Sequence, residues 1–345
     1  MRTLTAEEIA GKTVLLRMDL DVPFKPLPGH ETFTAEGAEG DTTTHLMVAE
    51  DFRLLAGVDT LDFCLEHAKS VIVMGHIGRP EGKEDSALSV APIVDWFETQ
   101  LKGVEFPAGK FHILENLRFE PGEDSADPAF AQQLANLGDF YINEAFASHH
   151  PAASTTVLPG LLPHAAGFRF AKEVEVLTKV LNNPQKPLVA VIGGAKLEDK
   201  LSVVNRLSQI ADAVLLGGKL IHEVRDKGMS FASNVIVGRP SDDGFDISPE
   251  TRHQFEGVVS RAKQVIWSGP MGKFEDGHNQ GNQAIVDAIV ASGASSIVGG
   301  GDTIAALVQL DLLDKFAKSG FVSVGGGAML KLLATGTLPT IEALN

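Results

Sequence analysis

The sequence contains only one cysteine, Cys64, among its 345 residues. A single cysteine excludes an intrachain disulfide and a metal cluster built from cysteines. Apolar residues recur at helical spacing around Cys64, which favours a buried structural thiol over a reactive one. We therefore assign Cys64 no chemical role.

Long apolar runs and an excess of basic residues are also lacking. No segment approaches the roughly 20 apolar residues of a membrane span, and the first residues lack the charged and apolar regions of a signal peptide. Lysine and arginine total 29 against 45 aspartates and glutamates, a formal net charge of −16. This charge argues against a general attraction to nucleic acids or anionic membranes. We expect a cytoplasmic protein that binds neither, in which any anionic ligand is held by a local basic patch.

The length of the chain exceeds the usual size of one domain, roughly 100 to 200 residues, so two domains are expected. Short apolar runs alternate with helical patterns along both halves. This alternation predicts an α/β fold with mainly parallel sheets and crossover helices. A helix predicted over residues 171–183 lies where one alternating set ends and the next begins, and we interpret it as the interdomain connector.

The C-terminal half contains five apolar runs that each end in a glycine-rich loop before a helical pattern. Such loops present unpaired backbone N–H groups to an anion at a helix N-terminus, so together they predict a nucleotide phosphate site. The sequence has neither a Walker A loop nor a G-x-G-x-x-G fingerprint, which disfavours an ordinary P-loop NTPase and a dehydrogenase. The five segments are LVAVIGGAK, ADAVLLGGK, QVIWSGPMG, SSIVGGGDT and FVSVGGGAM.

Charged residues accompany these loops. Lys196 and Lys200 are four residues apart, which predicts that they share a helical face near the phosphates, although an exposed pair is the alternative. Asp302 follows three glycines and opens a helix, so it is either an N-cap or a Mg²⁺ ligand, two roles that are compatible. Glu275 is either a surface carboxylate or an acceptor for a ribose hydroxyl.

The loops of the N-terminal half carry arginine, histidine and aspartate instead of glycine runs. A helix is predicted over residues 53–69. Residues 23–51 show little periodicity, and we interpret them as an inserted surface loop, with a flap over the N-terminal site as the alternative. The four strand-to-loop segments are TVLLRMDLDVP, SVIVMGHIGRP, HILENLRFEPGE and FYINEAFASHH.

Eight segments, in the same order, resemble the signature segments of the phosphoglycerate kinase family. They are RMDLDVP, GHIGRP, LENLRFEPGE, YINEAFASHH, GGAKLEDK, VIWSGPMGKFE, IVGGGDT and SVGGGAMLKLL. The resemblance implies reversible phosphoryl transfer between 1,3-bisphosphoglycerate with ADP and 3-phosphoglycerate with ATP, a step of glycolysis. It also implies a monomer with two Rossmann-like three-layer α/β/α domains joined by a hinge helix, which close around their substrates. Residues 1–165 would bind 3-phosphoglycerate, residues 166–330 would bind the nucleotide with Mg²⁺, and residues 331–345 would return to the first domain.

The resemblance also implies roles for individual residues. The 3-phosphoglycerate-binding residues would be Asp19, Asp21, Arg53, His76, Gly78, Arg79 and Arg118. The nucleotide-binding residues would be Gly194, Ala195, Lys200, Gly217, Gly218, Pro270, Glu275, Gly300, Gly301, Asp302 and Thr303, with Asp302 on the metal. The catalytic residues would be Arg53, Lys196, Lys200, Gly326 and Gly327, the last two through amides at a helix N-terminus.

The chain departs from the family pattern at several positions. Pro151 stands where the family has an arginine, and Asp21 where it has an asparagine. Residues 218–246 form a shorter segment than the family has beside its nucleotide cleft. These departures motivate an alternative, a nucleotide-binding relative without efficient catalysis. Smaller changes are Lys219 for glycine, Ser268 for asparagine, Val324 for threonine and Met329 for serine.

The loss of the family arginine leads to a prediction for Pro151→Arg. A charge-assisted hydrogen bond contributes roughly 1.5 to 3 kcal/mol, so restoring one should lower the apparent KM for 3-phosphoglycerate about ten- to a hundred-fold. The KM for ATP should change little. Steady-state kinetics of both substrates measure this, and an unchanged KM for 3-phosphoglycerate would mean that the site is built differently.

Overall fold

The computed structural model describes residues 2, 4–27, 46–100, 109–313, 316 and 320–345. The chain packs into two compact units, Met1–Lys172 with Pro339–Asn345, and Glu173–Leu338. The sequence predicts boundaries after residues 165 and 330, with all of 331–345 in the returning segment. In the structure the helix Gly327–Thr335 buries Leu332 and Leu333 within the second unit, so only the last seven residues, Pro339–Asn345, join the first.

The first unit contains a five-stranded parallel sheet of order β5-β4-β1-β6-β7. Its strands are β1 (Thr13–Arg17), β4 (Ser70–Met74), β5 (Phe111–Ile113), β6 (Phe140–Asn143) and β7 (His164–Ala166). Central strand β1 pairs Leu15 with Ile72 on one side and with Tyr141 on the other. Both faces of β1 are buried, as its nearly continuous apolar sequence requires.

The helices of this unit flank the sheet. They are α1 (Ala6–Ile9), α2 (Phe52–Ala56), α3 (Val58–His67), α4 (Ala91–Gln100), α5 (Pro121–Asp124), α6 (Pro128–Ala135) and the start of α7 (Phe168–Asn182). The single helix predicted over residues 53–69 is wrong, because Gly57 ends α2 before α3 begins. A Cβ atom on Gly57 would lie 2.6 Å from Cε of Met18, so a tertiary contact disfavours a larger residue at this position.

The predicted surface loop over residues 23–51 contains a short ribbon. Strands β2 (Phe24–Pro26) and β3 (Leu46–Val48) pair antiparallel, with Phe24 opposite Val48. Strand β3 packs against α4, and Trp96 of that helix donates its indole N–H to Asp51 at 3.1 Å. Residues 28–45, between β2 and β3 in the sequence, lie outside the described residues. The choice between surface loop and flap therefore stays a prediction.

The second unit contains a six-stranded parallel sheet of order β10-β9-β8-β11-β12-β13. Its strands are β8 (Leu188–Ile192), β9 (Ala213–Leu216), β10 (Val235–Val237), β11 (Gln264–Ser268), β12 (Ser295–Gly299) and β13 (Gly320–Ser323). Its helices are α8 (Leu201–Ile210), α9 (Leu220–Asp226), α10 (Pro249–Val259), α11 (Gln280–Ser292), α12 (Gly301–Gln309) and α13 (Gly327–Thr335). A final short helix, α14 (Pro339–Glu342), belongs to the first unit. The predicted α/β class with mainly parallel sheets in two domains is confirmed.

Within the described residues, no helix is both long and apolar enough to cross a bilayer.

Buried Glu144 holds the start of α7 within the first unit. Its Oε1 accepts hydrogen bonds from the Thr60 hydroxyl at 2.6 Å and from the Arg169 amide at 3.0 Å. Its Oε2 accepts one from the Phe170 amide at 3.0 Å. Burial raises the pKa of Glu144 to about 7, against the opposing effect of these hydrogen bonds. The thiol of Cys64 is also buried, and burial followed by the charge of Glu144 raises its pKa to about 12, as expected for an inert cysteine.

The raised pKa of Glu144 predicts a pH-dependent stability. The folded group titrates near 7 and the unfolded group near its ordinary value of 4.5. The folded state therefore binds the proton more tightly, and the group's contribution to the free energy of unfolding falls as the pH rises between these values, by roughly 3 kcal/mol. Glu144→Gln removes this component, so the stability of the wild type relative to the variant should decline from pH 4.5 to 7. Denaturant unfolding across this range measures the difference, and a constant difference would contradict the assignment.

Candidate functional sites

The predicted residues of the first unit lie on loops that leave one edge of its sheet. Asp19 and Asp21 follow β1, His76 and Arg79 follow β4, and Arg118 follows β5. Because the strands are parallel, these loops all leave from the carboxyl edge. Arg53 reaches the same loops from α2, where its side chain is one-third exposed.

Asp21 connects several of these segments. Its Oδ1 accepts a hydrogen bond from the Gly78 amide at 2.9 Å, and its backbone carbonyl accepts one from Nη1 of Arg53 at 3.0 Å. Its Oδ2 lies 3.8 Å from Nη1 of Arg53 and 4.0 Å from Nε2 of His76. The Asp21 carboxylate thus lies beside one cation, Arg53, and accepts a hydrogen bond from one amide, that of Gly78.

Asp19 is buried beside the same arginine. Its Oδ2 lies 3.7 Å from Nη1 of Arg53 and has no hydrogen-bond partner among the described residues. Burial raises the pKa of Asp19, while the charge of Arg53 opposes the shift. An unpartnered buried oxygen of this kind is suited to accept a hydrogen bond from a ligand.

A second group of contacts fixes the loop after β4. Asn116 accepts a hydrogen bond from the Ile77 amide at 3.2 Å and donates one to the Ile77 carbonyl at 2.8 Å. Arg118 donates from Nη1 to the Gly78 carbonyl at 2.7 Å and from Nε to Asp124 at 2.8 Å. The backbone that carries His76 and Gly78 is therefore held by side chains of the next loop.

His76 contributes no positive charge to this edge of the sheet, because its ring is neutral. His76 is buried, and burial, followed by the charges of Arg17, Arg118, Arg53 and Arg79, keeps its pKa well below the usual value. Arg79 itself is exposed. Arginine side chains therefore supply the positive charge of the patch.

The loop after β6 contains the position of the missing arginine. Pro151 is exposed there, and the rings of His149 and His150 lie with centroids 4.1 Å apart and planes inclined by 36°. Nδ1 of His149 lies 3.0 Å from the Ala147 carbonyl, which suits an N–H donor at that position. Two imidazoles thus precede Pro151, the position at which the resemblance implies an arginine.

In the second unit, the five glycine loops follow β8, β9, β11, β12 and β13. These five strands are consecutive neighbours in the sheet, so the loops lie side by side along its carboxyl edge. This placement agrees with the expected arrangement of backbone N–H groups along one edge of one sheet.

The loops after β8, β9 and β11 approach so closely that they leave no space for a Cβ atom. One built on Gly193 would lie 2.3 Å from the Pro270 carbonyl oxygen, and one on Gly218 would lie 2.5 Å from that oxygen. One built on Gly269, whose φ is +94°, would lie 2.1 Å from the Gly193 carbonyl oxygen. The Gly194 amide donates to the Pro270 carbonyl at 3.0 Å. Glycine is therefore a steric requirement at these positions.

Thr303 links the loops after β11 and β12. Its buried hydroxyl accepts a hydrogen bond from the Gly269 amide at 2.7 Å and donates to the Gly299 carbonyl at 3.3 Å. The N-cap of α12 is Gly300, with φ of +109°, and Asp302 is the second residue of the helix. The interpretation of Asp302 as an N-cap is therefore wrong, and its carboxylate is not used in capping.

The expected shared helical face of Lys196 and Lys200 is also wrong. Lys196 lies in the exposed loop, Glu198–Lys200 forms a 3₁₀ turn, and α8 begins only at Leu201. Lys200 instead folds back over Gly194, where an added Cβ would lie 3.5 Å from its Nζ. Burial lowers the pKa of Lys200, while the charges of Asp302 and Asp199 oppose the shift.

A cavity of 500 Å³ opens beside these loops within the second unit. It brings together six residues of the predicted nucleotide set, namely Gly194, Ala195, Gly218, Pro270, Glu275 and Asp302. Other members of that set, Lys200, Gly217, Gly300, Gly301 and Thr303, lie on the same loops but do not line the cavity. Seven lining residues had not been predicted, namely Lys219, His222, Gly244, Phe245, Gly272, Lys273 and Phe274.

Phe245 is the most prominent of the residues that the sequence analysis missed. Its side chain is half exposed, and its ring lies 5.1 Å from that of His278 and 5.7 Å from Nζ of Lys273. Nε2 of His222 contacts the Gly244 carbonyl at 3.0 Å, which ties this turn to α9. The available signal in the sequence was an aromatic residue, Phe245, within the shortened segment that ends at Asp246.

Glu173 is a second missed residue, and it supports the loop after β13. Its Oε2 accepts a hydrogen bond from the Ser323 hydroxyl at 2.7 Å, and its Oε1 accepts one from the Val324 amide at 2.8 Å. Gly326 is the N-cap of α13, and Gly327 is its first residue. The sequence around Glu173 resembles that of any amphipathic helix, so it does not indicate that this side chain contacts a distant loop.

Among the described residues, no group of three or more His, Cys, Asp or Glu side chains is arranged to bind a metal alone. Of the described aspartates, Asp302 alone lines the cavity. Mg²⁺ in nucleotide enzymes commonly takes one or two carboxylates together with substrate phosphates. The side chains present therefore fit a metal that arrives with the nucleotide.

The close approach of the glycine loops predicts a selective effect of alanine. Gly269→Ala places a methyl group against backbone and requires an unfavourable φ, so the second unit should lose about 3 kcal/mol or more of stability. Gly301→Ala is the matched control, because nothing lies within 4 Å of its added Cβ and its φ is helical. Denaturant unfolding of both variants tests this, and equal stabilities would contradict the packing described.

The chain is similar in sequence and in fold to known phosphoglycerate kinases. The family model for phosphoglycerate kinase matches residues 40–226 and 224–336. A phosphoglycerate kinase of Herpetosiphon aurantiacus is 35% identical over 413 aligned positions, with both chains covered completely. One of Moorella thermoacetica is 34% identical, covering 99% of this chain and 98% of the relative. The solved phosphoglycerate kinase of Coxiella burnetii has a TM-score of 0.77 at 28% identity, covering 97% and 96% of the two chains. The chain belongs to the phosphoglycerate kinase family.

Proposed function

We propose that this chain catalyses reversible phosphoryl transfer between 1,3-bisphosphoglycerate and ADP, with 3-phosphoglycerate and ATP as products. One observation carries the proposal: each unit has its own cluster of anion-binding groups at the carboxyl edge of its sheet. The first cluster uses arginine and histidine side chains, and the second uses glycine loops with Lys200 and Asp302. Two such sites suit an enzyme that binds a phosphorylated acid and a nucleotide.

We assign 3-phosphoglycerate to the first unit. Arg53, Arg79 and Arg118 supply charge for the phosphate and carboxylate groups, and His76 supplies a neutral donor. Arginine forks match such oxygens with paired hydrogen bonds. The unpartnered Oδ2 of Asp19 supports binding of a hydroxyl group, because it can accept the hydroxyl hydrogen.

We assign the nucleotide to the cavity of the second unit. The exposed ring of Phe245 offers a stacking surface for the base, and Glu275 can accept a hydrogen bond from the ribose. The phosphates are then expected near the glycine loops that carry Gly194 and Gly218. A Mg²⁺ ion brought by the nucleotide would be held by Asp302 and would neutralise phosphate charge during transfer.

The chemical step needs no proton transfer. A terminal oxygen of ADP attacks the acyl phosphorus, an O–P bond forms, and the bond from phosphorus to the C1 carboxylate oxygen breaks. The transferred group carries negative charge throughout, so positioning and charge neutralisation dominate catalysis. We assign these tasks to Arg53, Lys196, Lys200 and the amides of Gly326 and Gly327.

Two further expectations belong to the proposal. Closure of the domains through the α7 hinge would exclude water, which otherwise competes as the acceptor. We also propose that the protein acts as a cytoplasmic monomer on small molecules alone.

The proposal predicts a specific effect of Lys200→Ala. Loss of this cation should lower kcat about a hundred- to a thousand-fold in a coupled assay with MgATP and 3-phosphoglycerate. Lys263→Ala is the matched control, since Lys263 is exposed and precedes β11, at the opposite end of that strand from the glycine loops. The control should keep the wild-type rate.

Two outcomes would contradict the proposal. One is a wild-type protein that binds nucleotide yet shows no turnover at high concentrations of both substrates, which is the behaviour of a nucleotide-binding relative. The other is an equal loss of activity in the Lys200 and Lys263 variants, which would remove the role assigned to Lys200.

A further inference from the structure

A continuous chain of buried polar contacts lies beneath the anion-binding edge of the first unit. Glu123 accepts hydrogen bonds from the hydroxyl of Ser154 at 2.5 Å and from its amide at 3.0 Å. The Ser154 oxygen accepts one from Nε of Arg17 at 3.0 Å. Nη2 of Arg17 lies 2.7 Å from Nδ1 of His76. All four side chains are more than nine-tenths buried.

The guanidinium of Arg17 is fixed at each of its three nitrogens. Besides the contacts to Ser154 and His76, Nη1 donates to the carbonyl of Met18. Arg17 is the last residue of β1, so its backbone is held by the sheet. The orientation of Nη2 toward the histidine ring is therefore determined by the fold, and Glu123 offsets the buried charge through Ser154.

The contact between Arg17 and His76 determines which ring nitrogen carries the proton. A guanidinium has only donors and stays protonated in proteins. At 2.7 Å it must donate to Nδ1, so Nδ1 holds the lone pair and the hydrogen of a neutral ring is on Nε2. The lowered pKa of His76 agrees, because an imidazolium would place an N–H against the guanidinium.

Nε2 is the ring nitrogen that faces the charged groups of the edge. It lies 4.0 Å from Oδ2 of Asp21, beyond a normal hydrogen bond. The other charged groups around the ring are Arg53, Arg79 and Arg118, which are cations and cannot accept its hydrogen. The Nε2 hydrogen is thus available to an anionic ligand oxygen.

We propose that Arg17 is a positioning residue that holds His76 as the Nε2–H tautomer, so that the ring donates to an oxygen of the glycerate substrate. The assignment of the substrate rests on the proposed function, whereas the tautomer rests on the contacts alone. Arg17 itself does not touch the substrate in this account. A purely structural role for Arg17 would affect stability without setting the proton position of the ring.

The first test is the nitrogen NMR spectrum of the full-length wild-type protein labelled with ¹⁵N-histidine. The chemical shifts of Nδ1 and Nε2 distinguish the two neutral tautomers and the imidazolium, and a His76→Gln sample identifies the His76 signals. We expect protonated Nε2 and unprotonated Nδ1 at neutral pH, without added ligand. A ring protonated on Nδ1, or on both nitrogens, would overturn the proposal whatever the activity of the enzyme.

The second test removes the Arg17 guanidinium, which donates to Nδ1 of His76. Because Arg17→Met alone would leave Glu123 buried without a counter-charge, the variant is Arg17→Met with Glu123→Gln, and Ser154→Ala is a milder version that leaves both charges in place. The first variant should show a mixture of tautomers and a KM for 3-phosphoglycerate raised about ten-fold, with the KM for ATP unchanged. Ser154→Ala should change the tautomer population and the KM for 3-phosphoglycerate in the same direction, but by a smaller amount. An unchanged tautomer with a raised KM would refute positioning through His76.

A double-mutant cycle separates this role from general damage. The glutamine amide of His76→Gln carries its own N–H donor and has no tautomer to set. In that background the Arg17 and Glu123 substitutions should change the KM for 3-phosphoglycerate less than two-fold. A full ten-fold effect there would overturn the proposal. If the wild type shows the Nε2–H tautomer but does not bind 3-phosphoglycerate, the proposed function fails while the tautomer assignment stands.

Discussion

The carboxyl ends of all strands in a parallel sheet lie along the same edge, and both candidate sites depend on this constraint. In the first unit it brings Asp21, Gly78 and Arg118, which lie on three separate loops, into a chain of two hydrogen bonds. In the second unit it places five glycine loops side by side. The central strands, such as β1 and β6 in the first unit and β8 and β11 in the second, are almost fully buried, so their loops start from a close-packed base.

The two edges solve the problem of binding an anion in different ways. In the second unit the loops approach so closely that glycine is required, and we infer that backbone N–H groups of these loops bind the phosphates. In the first unit side chains supply the charge, within a chain whose formal net charge is −16. Those cations are held by acids and carbonyls, as Arg53 is by Asp19 and Asp21. Pairing of this kind orients the cations before a ligand arrives.

The sequence predicted what depends on local pattern, and it failed where distant residues decide. Apolar periodicity and glycine spacing located four strands of the first sheet and five of the second, but they missed the short edge strands β7 and β10. At Gly57, where α2 ends and α3 begins, Met18 packs where a Cβ would be, and no local signal reports such a contact. Glu173 and Arg17 likewise act through residues far away in the chain. Local propensity favours Asp302 as an N-cap, but the left-handed backbone of Gly300 takes that position.

The central claim is that one chain carries two separate anion sites, one for the phosphorylated acid and one for the nucleotide. Calorimetric titration of the wild-type protein with MgADP and, separately, with 3-phosphoglycerate tests it most directly. The account predicts that one molecule of each ligand binds. Binding of MgADP without binding of 3-phosphoglycerate at millimolar concentration would contradict it, because the arginine and histidine edge would then lack the ligand for which we infer it is built.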